Sequence, residues 1–163
     1  MADYLGGGYE KWLQEIGVTD APMVRAGLAT ALSFFHLRMP DVSRAMRVNF
    51  LKAMDLHSPV SETTLVPETV VAAFRKSNED PLKLFYTKAG TSPHQLGVNP
   101  TTRGFIRFRV IRPTTALQSR SAAALDTWTD ATHYYQAAGG GLQLIIPAAH
   151  AALRVLPHTS RRP

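Results

Sequence analysis

The 163-residue chain has no cysteine. That one absence removes a disulfide framework, thiolate-bound zinc and a cysteine nucleophile together. No run approaches the 18 apolar residues of a membrane-spanning helix, and no basic stretch followed by an apolar run opens the chain. Neither a membrane partner nor a conventional export signal is therefore expected. Several enzyme motifs are missing as well. The glycine-rich stretches "YLGGGYEKW" and "AAGGGLQL" lack the strand, Lys and Ser/Thr context of a phosphate loop, and there is no nucleophile elbow. Six histidines, at 36, 57, 94, 133, 150 and 158, include no pair one helical turn apart, so no metal site is expected.

What is present favours a folded domain with an anionic partner. Apolar residues make up 45% of the chain and charged residues 18%, enough for one domain with a real core. Against 12 Asp and Glu stand 18 Lys and Arg, a net charge of +6 that suits a nucleotide, a nucleic acid or an acidic protein.

Residues 1–58 read as a helical segment. In "APMVRAGLATALSFFHL" the residues Val24, Leu28, Leu32 and Phe35 recur on one helical face, with Pro22 suited to the first turn. In "DVSRAMRVNFLKAMDL" the spacing predicts a second helix, with Asp41 as N-cap and Val42, Met46, Phe50 and Met54 along one side. Residues 59–155 change to short β-branched and aromatic runs, with strands expected at 69–75, 82–87, 103–112, 115–119 and 142–147. Residues 156–163 read as a flexible tail. Helices followed by strands, without βαβ alternation, predict an α+β fold with a mixed or antiparallel sheet.

Side-chain alternation places Ile106, Phe108 and Val110 on one face of the strand expected at 103–112, and Arg103, Arg107 and Arg109 on the other with Phe105 and Ile111. Such a face either meets solvent or holds an anion. Alternation also sets Leu142, Leu144 and Ile146 against Gln143 and Ile145, so that Gln143 can face a cleft. Its three preceding glycines leave room for a ligand and permit turn conformations closed to other residues. A ribonuclease is an alternative, since His57, His94 or His133 could pair as acid and base while Arg and Lys hold phosphate.

The blocks "VNFLKAMDLHSPV", "VVAAFR", "LFYTKAGTSPHQLGV", "FRVIRPTTALQSR", "DTWT" and "GGGLQLIIP", in that order over residues 48 to 148, resemble the C-terminal toxin domains of bacterial polymorphic toxins, type 46. The arrangement is also similar to the ADP-ribosyltransferase superfamily and to NAD-cleaving toxins that use Arg, Tyr, a second Arg and Gln in order. The resemblance implies an ADP-ribosyltransferase-like core with NAD as substrate. The matching positions are Arg75, Tyr86, either Arg103 or Arg107, and Gln143, with Thr91 and Ser92 where the transferases have a Ser/Thr motif.

On that resemblance, Arg75 and Gln143 are the expected catalytic residues, with Tyr86, Ser92, Arg103 and Arg107 joining them in NAD binding. Arginines suit the diphosphate through charge-assisted hydrogen bonds, an aromatic can stack on nicotinamide, and Gln143 can hold the ribose hydroxyls. Protein-modifying transferases usually carry Glu where this chain has Gln143. An amide is no base at neutral pH, which favours hydrolysis over transfer. The implied protein is an antibacterial effector's toxin domain, part of a larger effector polypeptide, exported by a secretion system into the target bacterium's cytoplasm. A cognate immunity protein follows, since the producing cell needs protection. Alternatives are ADP-ribosyl transfer to protein or RNA, and the ribonuclease; a nucleic-acid partner enters only with these.

Overall fold

The computed structural model describes residues 21–75, 85–88, 90–96, 104–126 and 135–157. Helix α1 spans Pro22–Arg38, with Pro22 in its first turn, where a missing N–H costs nothing. Val24, Leu28, Leu32 and Phe35 are buried as their spacing predicts, and Ala31 and Phe34 widen the covered arc. Helix α2 spans Arg44–Ala53 and is capped by Ser43, not by the expected Asp41. The residues after Pro40 are spent on a turn in which the Val42 N–H meets the Met39 carbonyl at 3.2 Å. The first unpaired helical amides therefore fall within reach of Ser43, whose Oγ accepts from the Met46 N–H at 3.2 Å.

The strands are β1 (Ser61–Leu65), β2 (Val70–Arg75), β3 (Thr87–Lys88), β4 (Gly104–Val110), β5 (Thr114–Arg120), β6 (Ala124–Asp126), β7 (Tyr135–Ala137), β8 (Leu142–Ile145) and β9 (Leu153–Val155). Two one-turn helices interrupt them, α3 (Pro93–Leu96) and α4 (Ala149–Ala152). One sheet has the order β1-β5-β8 and another β3-β2-β4-β9, with β6 and β7 paired separately. Every described strand pair is antiparallel. The two larger sheets meet edge to edge. The Tyr86 N–H donates to the Leu144 carbonyl at 2.8 Å and the Leu144 N–H to the Tyr86 carbonyl at 2.7 Å, so β8 continues into the β3 segment. Strand β1, "SETTL", has no apolar alternation to announce it. It is a strand because β5 supplies a full antiparallel ladder, from Ser61 opposite Gln118 to Leu65 opposite Thr114.

Two cores lie on opposite sides of this joined sheet. On one side α1 and α2 pack on Leu117 of β5 and Ile145 of β8. Phe35 stacks on Phe50 at 5.6 Å between ring centroids, and Phe50 meets Phe85 edge-on at 5.3 Å. On the other, Val71, Ala73, Tyr86, Phe108, Ala116, Leu144 and Ile146 form a strand-only core. Phe108 and Val110 are buried on that side of β4, while exposed Arg109 and half-buried Arg107 share the opposite face, as alternation predicts. Phe105, on the arginine face, is also covered, its ring 5.3 Å from that of Phe74 with Leu96 beside them.

The glycines before β8 are needed for backbone packing. Gly139 and Gly140 have φ of 72° and 84°. A Cβ on Gly139 would lie 2.5 Å from the Ala122 carbonyl oxygen, and one on Gly141 would lie 2.8 Å from that of Gln95. The room expected for a ligand is thus filled by main chain at 139 and 141, and only Gly140 adjoins open space. Here Gly140 N–H donates to Ser121 and Gly141 N–H to Gln95, at 2.8 and 2.9 Å. Because Gly140→Ala meets only the left-handed backbone cost, it lowers stability by about 1–2 kcal/mol. Gly139→Ala adds a main-chain clash and costs about 2–4 kcal/mol. Urea unfolding midpoints read the difference, and equal losses would refute this account of the turn.

Candidate functional site

The register aligns a polar row across five strands. Ser119 of β5 lies opposite Gln143 of β8. Extending the antiparallel Tyr86–Leu144 bridge by one residue sets Thr87 of β3 beside Gln143. Thr87 in turn lies opposite Ala72 of β2, and Ala72 opposite Arg107 of β4. Directly opposed residues share a face, so Ser119, Gln143, Thr87, Ala72 and Arg107 form one row. The same construction gives a parallel apolar row of Leu117, Ile145, Phe85, Phe74 and Phe105. Arg107 and Gln143 are three strand spacings apart, about 14 Å, with only small side chains between them.

Gln143 is 2% exposed. Its Nε2 donates both hydrogens, to the Ala53 carbonyl and to Ser119 Oγ, each at 3.2 Å. Ala53 is the last residue of α2, so Gln143 satisfies a helix-end carbonyl that has no partner within the helix. The Ala122 N–H reaches the same oxygen at 2.9 Å. The burial of Gln143 corrects the expectation that it faces an open cleft, and Oε1 is the one group of this amide not engaged in those two bonds. Thr87 is fully buried, and its Oγ1 donates to the Leu142 carbonyl at 2.6 Å. That spends its proton, so Thr91 Oγ1, 3.0 Å away, is the donor of that pair.

The other expected site residues fall in different places. Arg75 closes β2 with its Cα opposite that of Gly104. Arg103 lies outside the described residues. The ring of Tyr86 is 1% exposed and packs edge-on to Phe108 at 5.5 Å, which corrects the expectation of a nicotinamide stack: no ring face is open to a ligand. Ser92 is occupied as the cap of α3. Its Oγ accepts from the Gln95 N–H and its own N–H donates to Gln95 Oε1, both at 3.3 Å. This is a capping box, legible in the sequence as Ser92-Pro93-His94-Gln95 with Pro at the first helical position. Ser119 and Thr87 were not singled out from the sequence; only the strand register brings them to Gln143. Of the ribonuclease histidines, His57 is exposed and His133 lies outside the described residues.

An α+β domain of antiparallel sheets, with two helices packed over the Ser119 and Gln143 end of the polar row, is the class these observations define. The chain belongs to the bacterial toxin 46 family, whose model matches residues 18–151. The fold is similar to that of Tse6, solved in complex with Tsi6, at a TM-score of 0.65 and 20% identity, covering 85% of this chain and 99% of that one. A weaker likeness, at a TM-score of 0.44 and 22% identity, covers 65% of this chain and 81% of Rhs1-CT, solved in complex with its cognate immunity protein RhsI1. No curated protein sequence matches the chain. No described helix is long and apolar enough to cross a membrane.

Replacing Gln143 by Met strands the buried Ser119 hydroxyl and costs about 1–3 kcal/mol, part of which Ser119→Ala restores by removing the orphan. Gln143→Glu sets a carboxylate against the Ala53 carbonyl and raises that carboxyl's folded pKa above its unfolded value. The folded variant then binds more protons than the unfolded chain, so its stability rises as pH falls. Thermal unfolding of the four proteins across pH measures both effects; a pH-independent Gln143→Glu defect argues against the helix-end contact.

Proposed function

We propose that this bacterial toxin 46 domain cleaves NAD at the bond between nicotinamide and ribose, and that water takes the ADP-ribose. The observation that carries this reading is the row itself, which puts an arginine and an oriented glutamine on one sheet face with only Thr87 and Ala72 between. Membership of a toxin family and the resemblance of the order Arg, Tyr, Arg and Gln to NAD-cleaving toxins support it, although the Tyr86 ring is packed in the core.

The chemistry suits these groups. As the glycosidic bond breaks, nicotinamide leaves with the bonding electron pair and the anomeric carbon gains oxocarbenium character. Water adds to that carbon and releases a proton, giving ADP-ribose and neutral nicotinamide. Half-buried Arg107 can hold the diphosphate through charge-assisted hydrogen bonds, and Arg75 and Arg103 are further candidates by resemblance. In this reading Gln143 Oε1 accepts from a ribose hydroxyl and orients the sugar without general-base work, which requires the buried amide to be uncovered when NAD binds. Nothing in that role needs a carboxylate, and this favours hydrolysis over transfer to a macromolecule.

The wider setting follows from the same reading. The domain is carried on an effector polypeptide, is exported by a secretion system and acts in the cytoplasm of a competing bacterium, and a cognate immunity protein blocks it in the producer. That Tse6 was solved with Tsi6 supports a bound protein partner for this fold.

Purified protein is expected to consume NAD with no other macromolecule present, and Arg107→Ala to lower kcat/KM about ten- to a hundredfold, with Arg107→Lys in between. Gln143→Met is compared only under conditions where its fold is intact. Intact NAD with cut RNA identifies a ribonuclease, and label on an added acceptor identifies a transferase; either result overturns hydrolysis.

A further inference from the structure

The far end of the arginine face carries an arrangement that substrate binding does not explain. Arg109 of β4 and Arg154 of β9 are directly opposite each other. Like charges at opposed positions of an antiparallel pair repel, and both side chains are exposed, so no core contact compensates. Among the described residues one carboxylate answers them: Glu68 Oε2 lies 3.6 Å from Arg109 Nε. Arg154 has no acidic partner among those residues.

Glu68 is delivered at a conformational cost. Residues Val66-Pro67-Glu68-Thr69 form a tight turn, with the Thr69 N–H donating to the Val66 carbonyl at 3.3 Å and Pro67 at the second position. At the third position Glu68 has φ 77°, the one non-glycine with positive φ among the described residues. This is the glycine position of a type II turn, yet it holds the carboxylate that meets Arg109.

Beside the pair lies a strand edge that no described strand covers. The Leu156 N–H donates to the Arg107 carbonyl at 3.0 Å and the Ile111 N–H to the Ala152 carbonyl at 2.8 Å. Residues 152, 154 and 156 therefore direct their backbone groups at β4, and Leu153 and Val155 direct theirs outward. No described strand pairs with that side of β9, and Val155 is 56% exposed. Charges on an edge strand can simply discourage sheet-to-sheet association. That accounts for Arg154, but not for a second arginine opposite it or for an acid in a glycine's backbone position.

We infer that the β4–β9 edge is a docking surface for an acidic segment of a partner protein, which adds along β9 and places carboxylates on Arg109 and Arg154. Glu68 is the internal stand-in for one of those carboxylates and competes with it. The inference stands independently of NAD cleavage.

The probe is a fluorescein-labelled peptide of alternating Glu and Val, titrated with the full chain at low ionic strength and read by anisotropy. Wild type binds it; Arg154→Glu weakens binding at least roughly fivefold, and Glu68→Gln strengthens it by a comparable factor. Lys52→Glu, the same charge change on α2, has a much smaller effect. Hydrogen exchange at the Val155 amide slows when the peptide is bound. Thermal unfolding confirms that the variants are folded. Absence of peptide binding, equal losses for Arg154→Glu and Lys52→Glu, an unprotected Val155 amide, or tighter binding of an RNA oligomer of equal charge with the same dependence on Arg154 each overturns the inference.

Discussion

The Ala53 carbonyl oxygen is where the helical and strand parts of the molecule are joined. It ends α2 and accepts from the Ala122 N–H and from Gln143 Nε2. Just beyond it, Met54 bridges Ser121 and the Asp55 N–H donates to the Arg120 carbonyl at 2.8 Å, so the chain leaving the helix is stitched to the end of β5. A buried helix end left without donors would oppose packing of α2 on the sheet. Satisfying it from β8 makes the position of the helices and the orientation of Gln143 a single property.

The second constraint is the edge-to-edge joint at Tyr86 and Leu144. It sets the register between the two halves of the sheet and thereby aligns Gln143 with Thr87, Ala72 and Arg107. The glycine turn and the α3 segment brace this joint from outside, through Gly141 to Gln95 and through Thr91 to Thr87. A one-residue slip would carry Gln143 into the strand-only core and Leu144 under α2, burying an amide among apolar side chains. The polar row and the fold are thus mutually dependent.

Much of this was legible in the sequence where the signal was local. Both long helices follow from apolar spacing, and β4 and β8 follow from alternation that sorts Phe108 and Val110 from Arg107 and Arg109. Errors arose where local rules compete. Asp41 and Ser43 are both good caps, and only the turn after Pro40 decides between them. Strand β1 lacks an apolar face, and β9 is three residues long, so their identity comes from the neighbours they pair with. Tyr86 in "LFYTK" reads equally as a ligand-stacking ring and as core packing, a choice made by Phe108, which sits 22 positions later and meets it edge-on.

By itself the sequence determined that two long helices precede a strand-rich part, the faces of β4 and β8, the excess of positive charge and the resemblance to a toxin family. These depend on side-chain periodicity and residue type within short windows. The tertiary structure alone decided what Gln143 does: its amide bonds Ala53, 90 residues earlier, and Ser119, 24 residues earlier. The same holds for the Arg109–Arg154 pair, which exists only because β9 returns to lie beside β4. Hydrogen bonding and like-charge repulsion act over a few ångströms, and it is strand register that brings such distant residues within that range.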